Sequence, residues 1–117
     1  MSTTHSTARS RVAQAVPLVE EVHEFVMFKF KSSVSHEEQV ETMRQLDAFL
    51  RPLAGFRSRD YYYSTSDERW VDHLVWADLA SALASRRVTK DPEAAALYAR
   101  FNQSSIAFSR YQRVPAE

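Results

Sequence analysis

Hydrophobic positions recur with two periods along this chain, and the alternation between them predicts its elements. From His23 to Lys31, His23, Phe25, Met27, Lys29 and Lys31 alternate with Glu24, Val26, Phe28 and Phe30. That period of two predicts a strand, and apolar residues on both faces make it a central one. Ser35-His36-Glu37-Glu38 then has the spacing of a capping box, with Ser35 capping and Glu38 reaching back. Val40, Met43, Leu46, Phe49, Leu50 and Leu53 follow at three- and four-residue spacing, one face of a helix that Pro52 and Gly55 end.

Phe56 to Tyr63 predicts a second strand, Ser64 to Arg69 a polar turn, and Trp70 to Trp76 a third strand paired with it. In the third strand Trp70, Asp72, Leu74 and Trp76 share one face, and Val71, His73 and Val75 the other. Asp78 caps a second helix carried by Leu79, Ala82 and Leu83, with Arg86 on or beside the same face. Asp91-Pro92 opens a further short helix through Ala95, Leu97, Tyr98 and Phe101, and Ile106 to Val114 alternates as a last, edge strand.

The order is β-α-β-β-α-β with an extra short helix before the last strand: an α+β, ferredoxin-like sandwich on a four-stranded antiparallel sheet. Strands one and three are the central pair. Two helices cover one face, which leaves Val26, Phe28, Phe30 and the Tyr61-Tyr62-Tyr63 cluster facing away from them. A second copy packed sheet on sheet would cover those residues, so a homodimer closing a dimeric α/β barrel is expected. Residues 1–20 are assigned to a weakly ordered extension, since Met1 to Pro17 is rich in Ser, Thr and Ala and has no acid. Residues 21–117 form the domain.

Composition narrows the function by exclusion. At 117 residues the chain holds one domain, and fifteen basic residues balance fifteen acidic ones. No net field points to nucleic acid or to an anionic membrane. Absence of cysteine removes thiolate chemistry and thiolate metal sites, and four histidines without H-x-H or H-x-x-x-H spacing argue against a metal. A single glycine cannot form a phosphate-cradling loop, so no nucleotide cofactor is expected. No apolar run reaches membrane-span length, and a cytoplasmic location is expected.

Three segments carry a resemblance to a known group: Phe25-Val26-Met27-Phe28-Lys29-Phe30-Lys31, Leu53-Ala54-Gly55-Phe56-Arg57-Ser58-Arg59, and Trp70 to Leu79. Together with the last strand they resemble the dimeric α/β-barrel superfamily over about Val22 to Val114. That superfamily includes antibiotic-biosynthesis-type monooxygenases and stress-responsive A/B-barrel proteins. The resemblance implies a small cofactor-free enzyme that abstracts a proton from an aromatic or polyketide-like molecule and oxygenates it. Alternatives on the same barrel are a proton-transfer cyclase or isomerase, or a non-catalytic barrel that binds a small hydrophobic ligand. The haem-degrading branch fits poorly, because the first strand has no Asn, Leu83-Ala84-Ser85 stands where a Trp would fall, and no His follows His73.

Such chemistry needs a base, donors to the anion it leaves, and apolar walls. His73, flanked by valines on a central strand, is the candidate base, with Glu24 expected on the same face to orient it. A tyrosine of the triplet, Tyr62 foremost, is the candidate oxyanion donor. On the opposite face Asp72 needs a partner, for which Arg86 is the candidate, and the pair would line a pocket with Trp76. Phe28, Asp72, Trp76 and Arg86 are thus the candidate substrate-binding residues, and the face carrying His73 is the expected site.

Overall fold

A computed structural model describes residues 17–116 of the chain. Strand β1 spans Val22–Phe28, helix α1 His36–Leu50, β2 Phe56–Ser64 and β3 Arg69–Trp76. Helix α2 spans Leu79–Ala84 and runs into a 3-10 segment, Ser85–Lys90. Helix α3 spans Pro92–Tyr98, a short 3-10 turn covers Gln103–Ser105, and β4 is Ala107–Gln112. The sheet order is β2-β3-β1-β4 with every pairing antiparallel, which is the expected ferredoxin-like α+β arrangement with β1 and β3 central.

The local signals act as their chemistry dictates. Glu38 donates its backbone N–H to Ser35 Oγ (3.2 Å) while Ser35 N–H donates to Glu38 Oε1 (2.8 Å), completing the capping box. Asp91 caps α3 by accepting from Glu93 and Ala94, with Pro92 at the first helical position. Gly55 sits at φ +81°, and a Cβ there would collide with the Ser81 side chain, so both backbone and space demand glycine between α1 and β2. Residues 1–16 of the expected extension lie outside the described residues; Val19, within it, donates to the Arg113 carbonyl at 2.9 Å.

The strand register corrects the expected distribution of faces. Val22, Glu24, Val26 and Phe28 of β1 stand opposite Trp76, Leu74, Asp72 and Trp70 of β3. All of them therefore share one face, and it is the face the helices cover: Phe28, Trp70, Leu74 and Trp76 pack into a single core with Met43, Leu46 and Leu50 of α1. Val26, Phe28 and Phe30 were expected on the far face. They lie on the helix face because Phe25, and not Glu24 or Val26, is the residue opposite His73. A shift of one residue in register exchanges every side chain between faces, and strands that are apolar on both faces carry little internal signal to prevent that error.

In β2 the register slips between Phe56 and Ser58, so Arg57 is an extra residue in the pairing with β3. This bulge lets Phe56, opposite Trp76, and Arg59, opposite Leu74, both face the helices. Tyr61 and Tyr63 follow Arg59 inward, whereas Asp60 and Tyr62 turn to the other face. That open face also carries His23, Phe25 and Met27 of β1 and Val71, His73 and Val75 of β3, and none of the described helices lies on it.

Candidate active site

Between the helix-facing side of the sheet and the segment from Ser85 to Ile106 lies a cavity of about 530 Å³. Its walls are largely apolar: Val26, Phe28, Leu74 and Trp76 from the sheet, with Val88, Phe101, Ile106 and Phe108 around them. Polar groups are few and come from separate elements. They are Glu24 of β1, Asp72 of β3, Arg110 of β4, Tyr98 of α3, and Ser85, Arg86, Thr89 and Gln103 along the helical wall. An apolar hollow with a small number of converging polar groups is the usual form of a small-molecule site.

Glu24 is the best-held of these groups. It is 5% exposed, yet each carboxylate oxygen has a donor: Trp76 Nε1 gives a hydrogen bond to Oε1 at 2.9 Å, and Arg110 Nε gives one to Oε2 at 2.8 Å. Strand pairing creates this arrangement, because Glu24 has Leu74 on one side and Arg110 on the other. Each oxygen retains a second lone-pair direction, so the carboxylate can still accept a proton or hydrogen bond from a bound molecule. Arg110 in turn lies over the Phe108 ring at 4.7 Å, which fixes its approach to the cavity.

Asp72 forms the second polar cluster. Arg59 Nε donates to its Oδ1 and Oδ2 (2.9 and 3.1 Å) and Nη2 to Oδ2 (2.8 Å), while Nη1 donates to Asp47 Oδ1 and the Met43 carbonyl, each at 2.7 Å. Burial pushes the Asp72 carboxyl above its usual value, and the Arg59 fork opposes that push. The expected partner Arg86 is not the one used: it is exposed and lines the cavity, while the bulge at Arg57 delivers Arg59 to Asp72 from the neighbouring strand. Tyr98 of α3 is half-buried and lines the cavity. Burial and the nearby Asp72 charge push its phenol up to about 12, so it stays protonated and able to donate.

The cavity brings Glu24, Phe28, Asp72, Trp76 and Arg86 together, and leaves out His73 and Tyr62. His73 faces the open side, stacked on Phe25 with ring centroids 4.3 Å apart, and its neighbour is His23 in place of the expected Glu24. Tyr62 is also on that side, 60% exposed and opposite Val71 near the hairpin end. The expected His73–Glu24 constellation is therefore split by the sheet. Tyr98 and Arg110 line the cavity and Arg59 holds Asp72 at its wall, and sequence reasoning passed over all three. Arg110 could have been found by pairing the last strand with the first, and Tyr98 as the one hydroxyl on the inner face of α3; Arg59 depends on a bulge no sequence signal announced. Among the described residues no group of three or more His, Cys, Asp or Glu is placed to hold a metal ion, and no helix is long and apolar enough to cross a membrane.

No protein-family model matches the chain, and no curated protein matches it in sequence. Solved structures do match in fold. SnoaB, a cofactor-independent oxygenase from Streptomyces nogalater, superposes with a TM-score of 0.59 at 16% identity, covering 84% of this chain and 95% of its own. Protein SO0527 from Shewanella oneidensis gives 0.66 at 15% identity over 84% and 95%. A hydroxynitrile lyase from Passiflora edulis gives 0.60 at 14% identity over 85% and 98%. The chain thus shares its α+β, ferredoxin-like fold with these structures, SnoaB among them.

Proposed function

We propose that this chain is a small enzyme that takes a proton from an aromatic or polyketide-like substrate and allows the resulting anion to react with dioxygen, without a cofactor. The observation that carries the reading is Glu24, a buried carboxylate gripped by Trp76 and Arg110 at the wall of an apolar cavity of about 530 Å³. Glu24 is the proton acceptor. The Tyr98 hydroxyl and the Arg110 guanidinium supply hydrogen bonds to the oxyanion into which the negative charge is delocalised. Phe28, Trp76 and Phe101 wall the ring system and keep water from the anion.

For a methylene flanked by aromatic rings the chemistry balances without an external reductant. The first C–H proton goes to Glu24, and the carbanion adds to dioxygen with formation of a C–O bond. Glu24 returns the proton to the terminal peroxide oxygen. Loss of the second C–H proton with cleavage of the O–O bond leaves a carbonyl and releases water, so CH₂ and O₂ become C=O and H₂O. The same first step without oxygen would serve a cyclase, an isomerase or a lyase, and the fold shared with the Passiflora edulis hydroxynitrile lyase keeps that second reading in play.

The sheet face opposite the cavity belongs to the same proposal, as the surface on which two copies close. Its paired positions carry Phe25, Met27, Val71, Val75, Tyr62 and Tyr111, with no Lys or Arg apart from Arg69 at the hairpin end. Met27, Tyr62 and Tyr111 are exposed, and aromatic and Met side chains without lysine are the composition of an interface. A chain of formal net charge zero also has no overall charge repulsion against a second copy.

The test is anthrone supplied to the protein in air-saturated and in oxygen-free D₂O buffer. An oxygenase takes up one O₂ per quinone formed, faster than the buffer reaction. A proton-transfer enzyme exchanges the methylene hydrogens for deuterium faster than buffer but consumes no oxygen. Neither uptake nor exchange above the buffer rate, across anthrone and a panel of related phenols, overturns the reading.

A further inference from the structure

Outside the cavity, a second group of titratable side chains lies on the open sheet face. His23 Nδ1 and His73 Nε2 are 2.9 Å apart, and the two rings meet edge to edge with centroids 5.1 Å apart. One nitrogen must carry the hydrogen and the other must accept it. Glu21 Oε1 is 3.3 Å from the remaining nitrogen of His23, Nε2. With Nε2–H directed at Glu21, Nδ1 is the acceptor and His73 Nε2–H the donor, so the pair is complete with both rings neutral.

The charged and titratable groups around it are few. Asp60 of β2 stands opposite His73, and Tyr111 of β4 stands opposite His23. Arg57 approaches Glu21 at 4.0 Å and competes for its charge. Asp72, next to His73 in sequence, points to the other face, where Arg59 holds it.

We propose that two copies of this chain close on the open face while both imidazoles are uncharged, and that acidification opens the interface. This rests on the homodimer reading above. In the single chain, water and the carboxylates of Glu21 and Asp60 can accommodate a proton arriving on the pair. Once a second copy covers the face, the water is gone and four imidazoles share one apolar layer. A second proton on either pair would also set two cations at ring-contact distance.

The sign follows from linkage. Burial and the neighbouring His23 already hold His73 below the usual histidine value, and closure buries it further. The separated chains therefore bind more protons than the assembly does. Association is at full strength above the value His73 has in the separated chain, itself below the ordinary histidine value, and weakens as pH falls through it.

Sedimentation equilibrium at pH 7.5 and pH 5.0, with circular dichroism to follow the fold, tests this on the wild-type chain and on the His23→Gln/His73→Phe double variant. The wild-type dissociation constant is expected to rise roughly ten-fold or more at pH 5.0, the effect of displacing at least one proton. The double variant, and His73→Gln as a second, milder change, should lose most of that dependence. Equal wild-type constants at the two pH values overturn the proposal and leave the dimer standing. A full pH dependence retained in both variants assigns it to other groups and overturns the proposal as well. A wild-type mass of one chain at pH 7.5 and tens of micromolar overturns both this proposal and the homodimer reading.

Discussion

The two faces of one sheet are built from similar residues and do different things. Each has a carboxylate, aromatic rings and aliphatic side chains at its centre. On the helix-covered face every buried charge is held by a partner of fixed geometry: Glu24 by Trp76 and Arg110, Asp72 by Arg59. On the open face the polar groups include His23, His73 and Asp60, of which the histidines are paired with each other and half-buried. Burial explains the difference. A charge under the helices would cost several kcal/mol without a partner, so partners are built in, whereas on the open face water can serve. Charges held in fixed geometry at an apolar wall suit proton abstraction, and adjustable ones suit an interface.

The largest expected effect comes from breaking an inner pair. Arg59→Met should destabilise the chain by about 3 to 5 kcal/mol in urea unfolding, because Asp72 and Asp47 lose their common partner. Pairing that change with Asp72→Leu should recover much of the loss. A small effect of Arg59→Met alone would mean the inner cluster is not the keystone described. Next in size is a matched pair of truncations. Phe28→Ala, in the inner core, should cost about 3 kcal/mol, while Phe25→Ala, one face away, should cost the single chain about 1 kcal/mol and weaken self-association instead. Equal losses of chain stability would erase the distinction between the faces.

Tyr98→Phe should lower turnover by roughly ten-fold through loss of one donor to the oxyanion. Since its phenol is pushed up to about 12, the wild-type rate should show no Tyr98 ionisation up to pH 10. A fall in rate between pH 8 and 10 that vanishes in Tyr98→Phe would contradict that placement. The smallest effect is expected for Tyr62→Ser, exposed on the open side: chain stability within about 0.5 kcal/mol of wild type, and unchanged turnover per chain.

The fold was largely legible in the sequence because its determinants are local. Ser35 with Glu38, Asp91 with Pro92, and Gly55 each act over a few residues, and strand alternation together with helical spacing orders the elements between them. Cavity placement was less legible because it depends on register. Whether His73 stands opposite Glu24 or Phe25 decides which face it shares, and both strands are apolar enough on each face to allow either. Phe28, Trp76, Asp72 and Arg86 meet at one cavity, but Glu24 joins them there and His73 does not. Arg59 was hidden for another non-local reason: the extra residue at Arg57 changes the parity of β2 against β3.

On the proposed reading, proton abstraction belongs to the covered face and Glu24 performs it. Stopped-flow measurement of anthrone deprotonation by Glu24→Gln and His73→Phe, side by side with wild type and with folding checked by circular dichroism, addresses it most directly. A loss of roughly 100-fold or more is expected in Glu24→Gln, the range for removal of a general base, with a rate near wild type in His73→Phe. A wild-type rate in Glu24→Gln with a collapsed rate in His73→Phe would move the chemistry to the open face and rule out Glu24 as the base.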